Sequence, residues 1–309
     1  MAESLSTLRL EPQGTTLVVH FDNGPTDLLD RQVFADLDTL TRRLTRDDRF
    51  RAVVLTGPRP EVFAPHYDLA EIADGAEEMG ISTPYRGART GIALVAAASK
   101  VPGAEKLLRR TPAAGLVEIL ATHRTLAQFG RLPQVVIAAI GGDALGGGCE
   151  VALACDLRIM ADGDFLIGLP EISAGIPPGA GGSVRLARAV GSSRAAAMML
   201  RARPLNPTEA LAAGLVDQVV PQSQLLAEAH RIAERVGQWN PTAVRSLKRT
   251  LATVAGSSTP FRVEAAGFVT AASGRPAIDR LRVFGAQSDP ARGTSPWRDR
   301  SWLDRRHRS

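Results

Sequence analysis

A chain of 309 residues with 44% hydrophobic and 22% charged side chains carries enough apolar material for one large core, which excludes a disordered or fibrous polypeptide. Its most apolar stretch, around residues 135–154, is broken by Asp143, Glu150 and several glycines, which argues against a membrane span, and the opening MAESLSTLRLEP lacks the apolar run of a secretory signal. The net charge of +5 is a property of the end of the chain, where six arginines and two aspartates follow residue 290.

In chain order, Thr15–Phe21 reads as a strand and DNGPTD as a turn. Leu29, Val33, Leu37, Leu40 and Leu44 have helical spacing, which predicts an amphipathic helix over Leu28–Leu44. Ala52–Thr56 is a short apolar strand stopped by Gly57-Pro58, so strand, helix and strand form a parallel-sheet unit and the fold class is α/β. Residues 74–132 are Ala-rich, with a helix predicted over Ala113–Phe129 and breaks at Gly91, Pro102-Gly103 and Pro112.

Val135–Ile140 is a buried strand, Gly141–Gly148 a glycine-rich turn, and a small-residue helix begins near Cys149. A strand over Leu157–Met160 and a Gly/Pro loop from Gly168 to Gly182 follow. Beyond them come a helix over Ser192–Arg201 and one opened by Asn206-Pro207 with Glu209 and closed by Gly214. A strand over Val216–Val220 precedes helices over Leu225–Val236, Ala243–Val254, Val263–Thr270 and Ala277–Phe284.

The stretch around the glycine-rich turn carries the chemistry. A turn feeding a helix leaves amides unpaired that can receive developing negative charge, and two carboxylates lie near it: Glu150 just inside the helix and Glu171 in the following loop. Two carboxyls can divide acid and base duties if their surroundings separate their pKa values. The same residues also fit a tight packing turn with capping or solvated carboxylates.

Other chemistries fail on spacing. Gly147-Gly148 replaces the Lys-Ser/Thr of a phosphate loop, GAGGSV lacks the last glycine of a dinucleotide fingerprint, and Ser183 lacks a nucleophile elbow. The five histidines are scattered, and Cys149 and Cys155 read as buried thiols in a reducing cytoplasm, so neither a metal nor a disulfide is implied.

ALGGGCEVALACDLRIM followed by LPEISAGIPPGAGGSVRLARAVG resembles the enoyl-CoA hydratase/isomerase (crotonase) superfamily. The resemblance extends more weakly from about Leu17 to Leu247, through LTG at Leu55–Gly57 and EALAAGLVDQVVP at Glu209–Pro221. It implies a crotonase-like spiral of ββα units over 1–205, with a helical insertion at about 74–132. It further implies a helical oligomerisation region over 206–290, ahead of a basic tail over 291–309.

By the same resemblance, Gly147 and Tyr67 supply the backbone amides of an oxyanion hole, and Glu150 and Glu171 handle water. Ala64, His66, Asp68, Gly146, Pro170 and Gly179 are expected around the substrate. His66 stands where the family usually has glycine, and Ala70 where some members carry a CoA-binding lysine. The implied activity is a lyase reaction, hydration of a 2-enoyl-CoA to a 3-hydroxyacyl-CoA as in fatty acid metabolism. The alternatives are an isomerase, hydrolase or lyase with His66 taking part, or a non-catalytic CoA-thioester or RNA-binding homologue.

No cofactor beyond the coenzyme A of the substrate is implied. The expected partners are an acyl-CoA thioester and further copies of the chain, as a homotrimer or dimer of trimers, rather than nucleic acid or a membrane. The insertion reads equally as a lid over the acyl site and as an oligomer contact. The tail reads as a solvated terminus, or as an arm for an acidic partner.

Overall fold

The computed structural model describes residues 5–80, 82–254, 259–287 and 296–298. A hairpin opens the chain, β1 (Leu8–Gln13) against β2 (Thr16–Phe21), with Leu8 opposite Phe21. Sequence patterning does not announce β1 because only Leu8 of its six residues is buried; an edge strand facing solvent has no alternation to read. Helix α1 (Arg31–Leu44) starts later than the apolar spacing suggests. The Asp30 side chain accepts the Val33 amide at 2.8 Å and caps the helix there, leaving Leu28 and Leu29 outside it.

Strand β3 (Ala52–Thr56) lies parallel to β2, and four helices then fill the long insertion: α2 (Leu69–Met79), α3 (Tyr85–Ala98), α4 (Ala104–Leu108) and α5 (Ala114–Phe129). Next come β4 (Val135–Ile140), the two-residue β5 (Ala144–Leu145), α6 (Gly147–Ala154), β6 (Leu157–Asp162) and the two-residue β7 (Ile167–Gly168). The helix expected near Cys149 begins two residues earlier, because β5 ends the glycine turn at Gly146. A 3-10 turn over Glu171–Ala174 interrupts the Gly/Pro loop before α7 (Gly182–Val190).

The remainder is α8 (Ser192–Leu200), α9 (Pro207–Ala213), β8 (Gln218–Pro221), α10 (Leu225–Gly237), α11 (Pro241–Val254), α12 (Thr259–Ala272) and α13 (Arg275–Ala286). Asn206 and Glu209 form the capping box read from the sequence, and Gly214 closes α9 in the left-handed conformation.

The main sheet runs β1-β2-β3-β4-β6-β8, parallel except for the hairpin, and β5 pairs in parallel with β7 in a second small sheet. Its central strands are apolar on both faces, as a covered parallel sheet requires. Val53, Leu55, Val136, Ala138 and Ile140 point into the core shared with α1, α5 and α6. The alternate residues Ala52, Val54, Ile137 and Ala139 point the other way, onto Leu225, Ala229 and Ala233 of α10. On the insertion side, Ala88 and Ile92 of α3 pack on Ala265, Ala266 and Val269 of α12. Among the described residues, no helix is long and apolar enough to cross a membrane.

Candidate active site

Two stretches about eighty residues apart in sequence meet at the N-terminus of α6. Leu29 bonds to its neighbours on both sides of Tyr67: its amide donates to the His66 carbonyl at 2.9 Å, and its carbonyl accepts from Asp68 at 2.7 Å. In an extended backbone, the Tyr67 amide therefore points to the opposite side. The glycine turn lies there; a Cβ placed on Gly147 would sit 3.4 Å from the Tyr67 nitrogen. Among the described residues, neither the Tyr67 nor the Gly147 amide donates to a protein acceptor.

The glycines permit this approach. Gly146 has φ +50°, a conformation that side chains disfavour, and a Cβ on Gly148 would lie 1.8 Å from the Ala64 carbonyl oxygen.

Glu150, in the first turn of α6, and Glu171, opening the 3-10 turn, are both buried. Their surroundings differ. One oxygen of Glu150 accepts the amides of Ala180 (2.7 Å) and Gly182 (2.8 Å), whereas Oε2 of Glu171 has no protein partner. Burial first, and the charge of Glu264 second, push the Glu150 carboxyl up to about 7; the two amides and Arg185 work against that rise. Burial and then the charge of Glu150 push Glu171 well above the ordinary carboxyl range. A single negative charge in this pair therefore rests on Glu150, which has two donors, while Glu171 keeps its proton.

A cleft opens beside the pair, lined by Tyr67, Gly146, Gly147, Glu150, Glu171 and Gly179 among the residues anticipated from sequence. Its wall is otherwise mainly apolar, with Leu69, Ile72, Met79, Ile119, Ile176 and Val269. Part of that wall belongs to the insertion. Arg31 and Glu71, which form an ion pair at 3.1 Å, also line the cleft, and the Tyr67 ring stacks on Phe34 at 6.0 Å.

Ala64, His66, Asp68 and Pro170 are not on the cleft wall. Ala64 carries the carbonyl against Gly148, and Asp68 caps α2 through the Ala70 and Glu71 amides. His66 is buried, with Nδ1 2.8 Å from the Tyr67 carbonyl oxygen and its ring edge-on to Trp297 at 5.2 Å. Burial lowers its pKa, so the imidazole is neutral at physiological pH.

Two residues of the site carry no clear signal in the sequence. Trp297, in the segment read as a solvated basic tail, lines the cleft and donates its indole N–H to Ser173 Oγ at 3.0 Å. Its neighbour Arg298 forks onto Asp143 and Asp164. Apart from residues 296–298, the 291–309 tail lies outside the described residues. Glu264 of α12 is buried against the Gly181–Ser183 amides; an acid at a core-facing position of an Ala-rich helix is the one clue the sequence holds. Phe268 lines the cleft, while Phe284 sits in the core beside Trp297. Cys149 and Cys155 are free buried thiols.

The sequence profile described as Enoyl-CoA hydratase/isomerase matches residues 117–266. A short-chain-enoyl-CoA hydratase of Clostridium acetobutylicum is 32% identical over 249 residues, covering 80% of this chain and 81% of that protein. Other leading curated relatives align over about half of their own length. Among solved structures, an enoyl-CoA hydratase from Bacillus anthracis superposes with a TM-score of 0.65 at 27% identity, over 91% of this chain and 95% of its own. Human mitochondrial delta3-delta2-enoyl-CoA isomerase gives 0.70 at 25% identity, over 90% and 96%.

Proposed function

The chain belongs to the enoyl-CoA hydratase/isomerase family, and on that premise we propose that it hydrates a 2-enoyl-CoA to the corresponding 3-hydroxyacyl-CoA. The observation that carries this reading is the unequal pair of carboxyls on one cleft wall, one held by two amides and one with an unpartnered oxygen. The Tyr67 and Gly147 amides polarise the thioester carbonyl, so the electrons displaced from the C2–C3 double bond are stabilised on its oxygen. Ionised Glu150 takes a proton from water as the water oxygen bonds to C3. Protonated Glu171 delivers a proton to C2 and collapses the enolate. A proton passing from Glu150 to Glu171 restores the starting state. The apolar wall receives the acyl chain.

A second reading, movement of the double bond, uses the same amides and one carboxyl as shuttle; the likeness to the human isomerase favours keeping it. The two reactions separate by mass. Incubation with short, medium and long 2-enoyl-CoAs is expected to give products one water heavier, whereas a 3-enoyl-CoA returned at unchanged mass with its bond moved, and no hydrated product from any 2-enoyl-CoA, assigns the isomerase instead.

A further inference from the structure

Helix α12 presents Phe261, Glu264 and Phe268 at three- and four-residue spacing, which puts them on one face. That face presses on the chain from Gly179 to Arg185. The Arg185 guanidinium lies over the Phe261 ring at 5.2 Å, and a Cβ on Gly179 would come within 2.7 Å of the Phe268 ring. Between the two aromatics, Glu264 accepts the Gly181 amide at 2.5 Å and the Ser183 amide at 2.8 Å. Glu150 accepts the amides of Ala180 and Gly182. Four consecutive amides are thus shared alternately by two carboxylates from different helices.

We propose that Glu264 is a positioning residue of this active site: it holds alternate amides of the 180–183 ladder, fixes the loop that fastens Glu150, and sets a negative charge behind Glu150. The inference rests on the hydratase reading above. A buried carboxylate in an Ala-rich helix is unfavourable unless paired, and here both oxygens of Glu264 are spent on the ladder rather than on the cleft.

The charged and titratable groups around Glu150 are Glu171 from the 3-10 turn, Arg185 from α7, Glu264 from α12 and the adjacent Cys149 thiol. His123 of α5, beside Arg185, is driven by burial to about 4 and stays neutral at higher pH. After burial, Glu264 contributes most to raising Glu150, and Arg185 opposes it; burial raises the Glu264 carboxyl too, while its Ser183 and Gly181 donors and Arg185 favour its charged form. A base pKa near the working pH suits proton transfer from water. Removing the Glu264 charge lets Glu150 ionise at lower pH. Hydration needs Glu150 ionised, so the acid limb of kcat/KM moves down in pH.

The test is the pH dependence of kcat/KM for enoyl-CoA hydration in the wild type, Glu264→Gln and Glu264→Asp, with Glu150→Gln as control and thermal unfolding measured for each. Glu264→Gln keeps an oxygen for the ladder and is expected to shift the acid limb down by about one pH unit. Glu264→Asp keeps the charge and is expected to hold the limb near the wild-type position while lowering the plateau. An unshifted limb in a folded Glu264→Gln protein overturns the inference, because a purely structural residue lowers the plateau alone. Should Glu264→Gln not fold, a limb displaced by a full unit in Glu264→Asp overturns it equally. If wild type yields no hydrated product, the hydratase reading fails, and if Glu150→Gln hydrates as fast as wild type, the base role of Glu150 fails; if Glu150→Gln is inactive and the Glu264 limbs stay put, only the present inference fails.

Discussion

At the scale of single residues, the site is built from side chains whose environments conflict with their usual charge. Glu171 is the extreme case: buried, beside another carboxyl, with one oxygen unpartnered. Its folded pKa stands above its unfolded value, so between the two the native state holds a proton that the unfolded chain has released. Stability from this group is complete below the unfolded value, near 4.5, and is lost as pH rises. Glu171→Gln removes that dependence. The variant is expected to gain stability over wild type steadily from pH 5 to pH 8 in denaturant titrations. His123, lowered to about 4, gives the opposite slope at lower pH in both proteins and cancels from the difference. A constant difference across the range would contradict this assignment. Glu150 and Glu171 are legible in the sequence because a glycine turn and a helix start flank them. Glu264 is not, since helical periodicity assigns an acid to solvent by default.

At the scale of elements, the strands and helices are readable where they bury a regular face, and their ends are readable where a side chain caps them. Asn206, Glu209 and Gly214 mark α9 this way. Exceptions have local causes, such as the solvent-facing edge strand β1 and the Asp30 cap that shortens α1. What patterning misses is how elements are fastened together. Lys248 of α11 is buried, and its ammonium donates to the Phe129 and Gln134 carbonyls (3.0 and 2.6 Å) and to Asp156 (2.5 Å). One cation thus ties α11 to the end of α5, the start of β4 and the loop after α6. Asp156 in turn accepts the Val136 amide at 2.7 Å. Lys248→Met keeps the aliphatic stem, takes one donor from each of three acceptors and leaves the half-buried Asp156 charge without its cation, so a loss of about 2–3 kcal/mol is expected from the denaturant midpoint. A loss below about 0.5 kcal/mol would show that water replaces the ammonium without penalty.

At the scale of the whole molecule, the parallel sheet and its small partner sheet bring remote segments to one point. The β5–β7 pair seats the glycine turn, the Leu29–Tyr67 bridge aims an amide at it, and α12 closes on the loop that carries the Glu150 donors. In the sequence, only the family resemblance pairs Tyr67 with Gly147, because local patterning has no access to contacts across about eighty residues. The insertion contributes cleft wall through Met79, Gly115 and Ile119. His66, the residue that departs from the family pattern, lies behind the Tyr67 peptide and against Trp297 rather than in the cleft.

This arrangement makes one demand on the chemistry: both carboxyls act, in different protonation states, beside the same pair of amides. The most direct measurement is kcat/KM for hydration of a 2-enoyl-CoA by wild type, Glu150→Gln and Glu171→Gln, with unfolding midpoints to show that each is folded. Each substitution is expected to lower it by about 10²–10⁴-fold. Turnover within twofold of wild type in either folded variant would contradict the account.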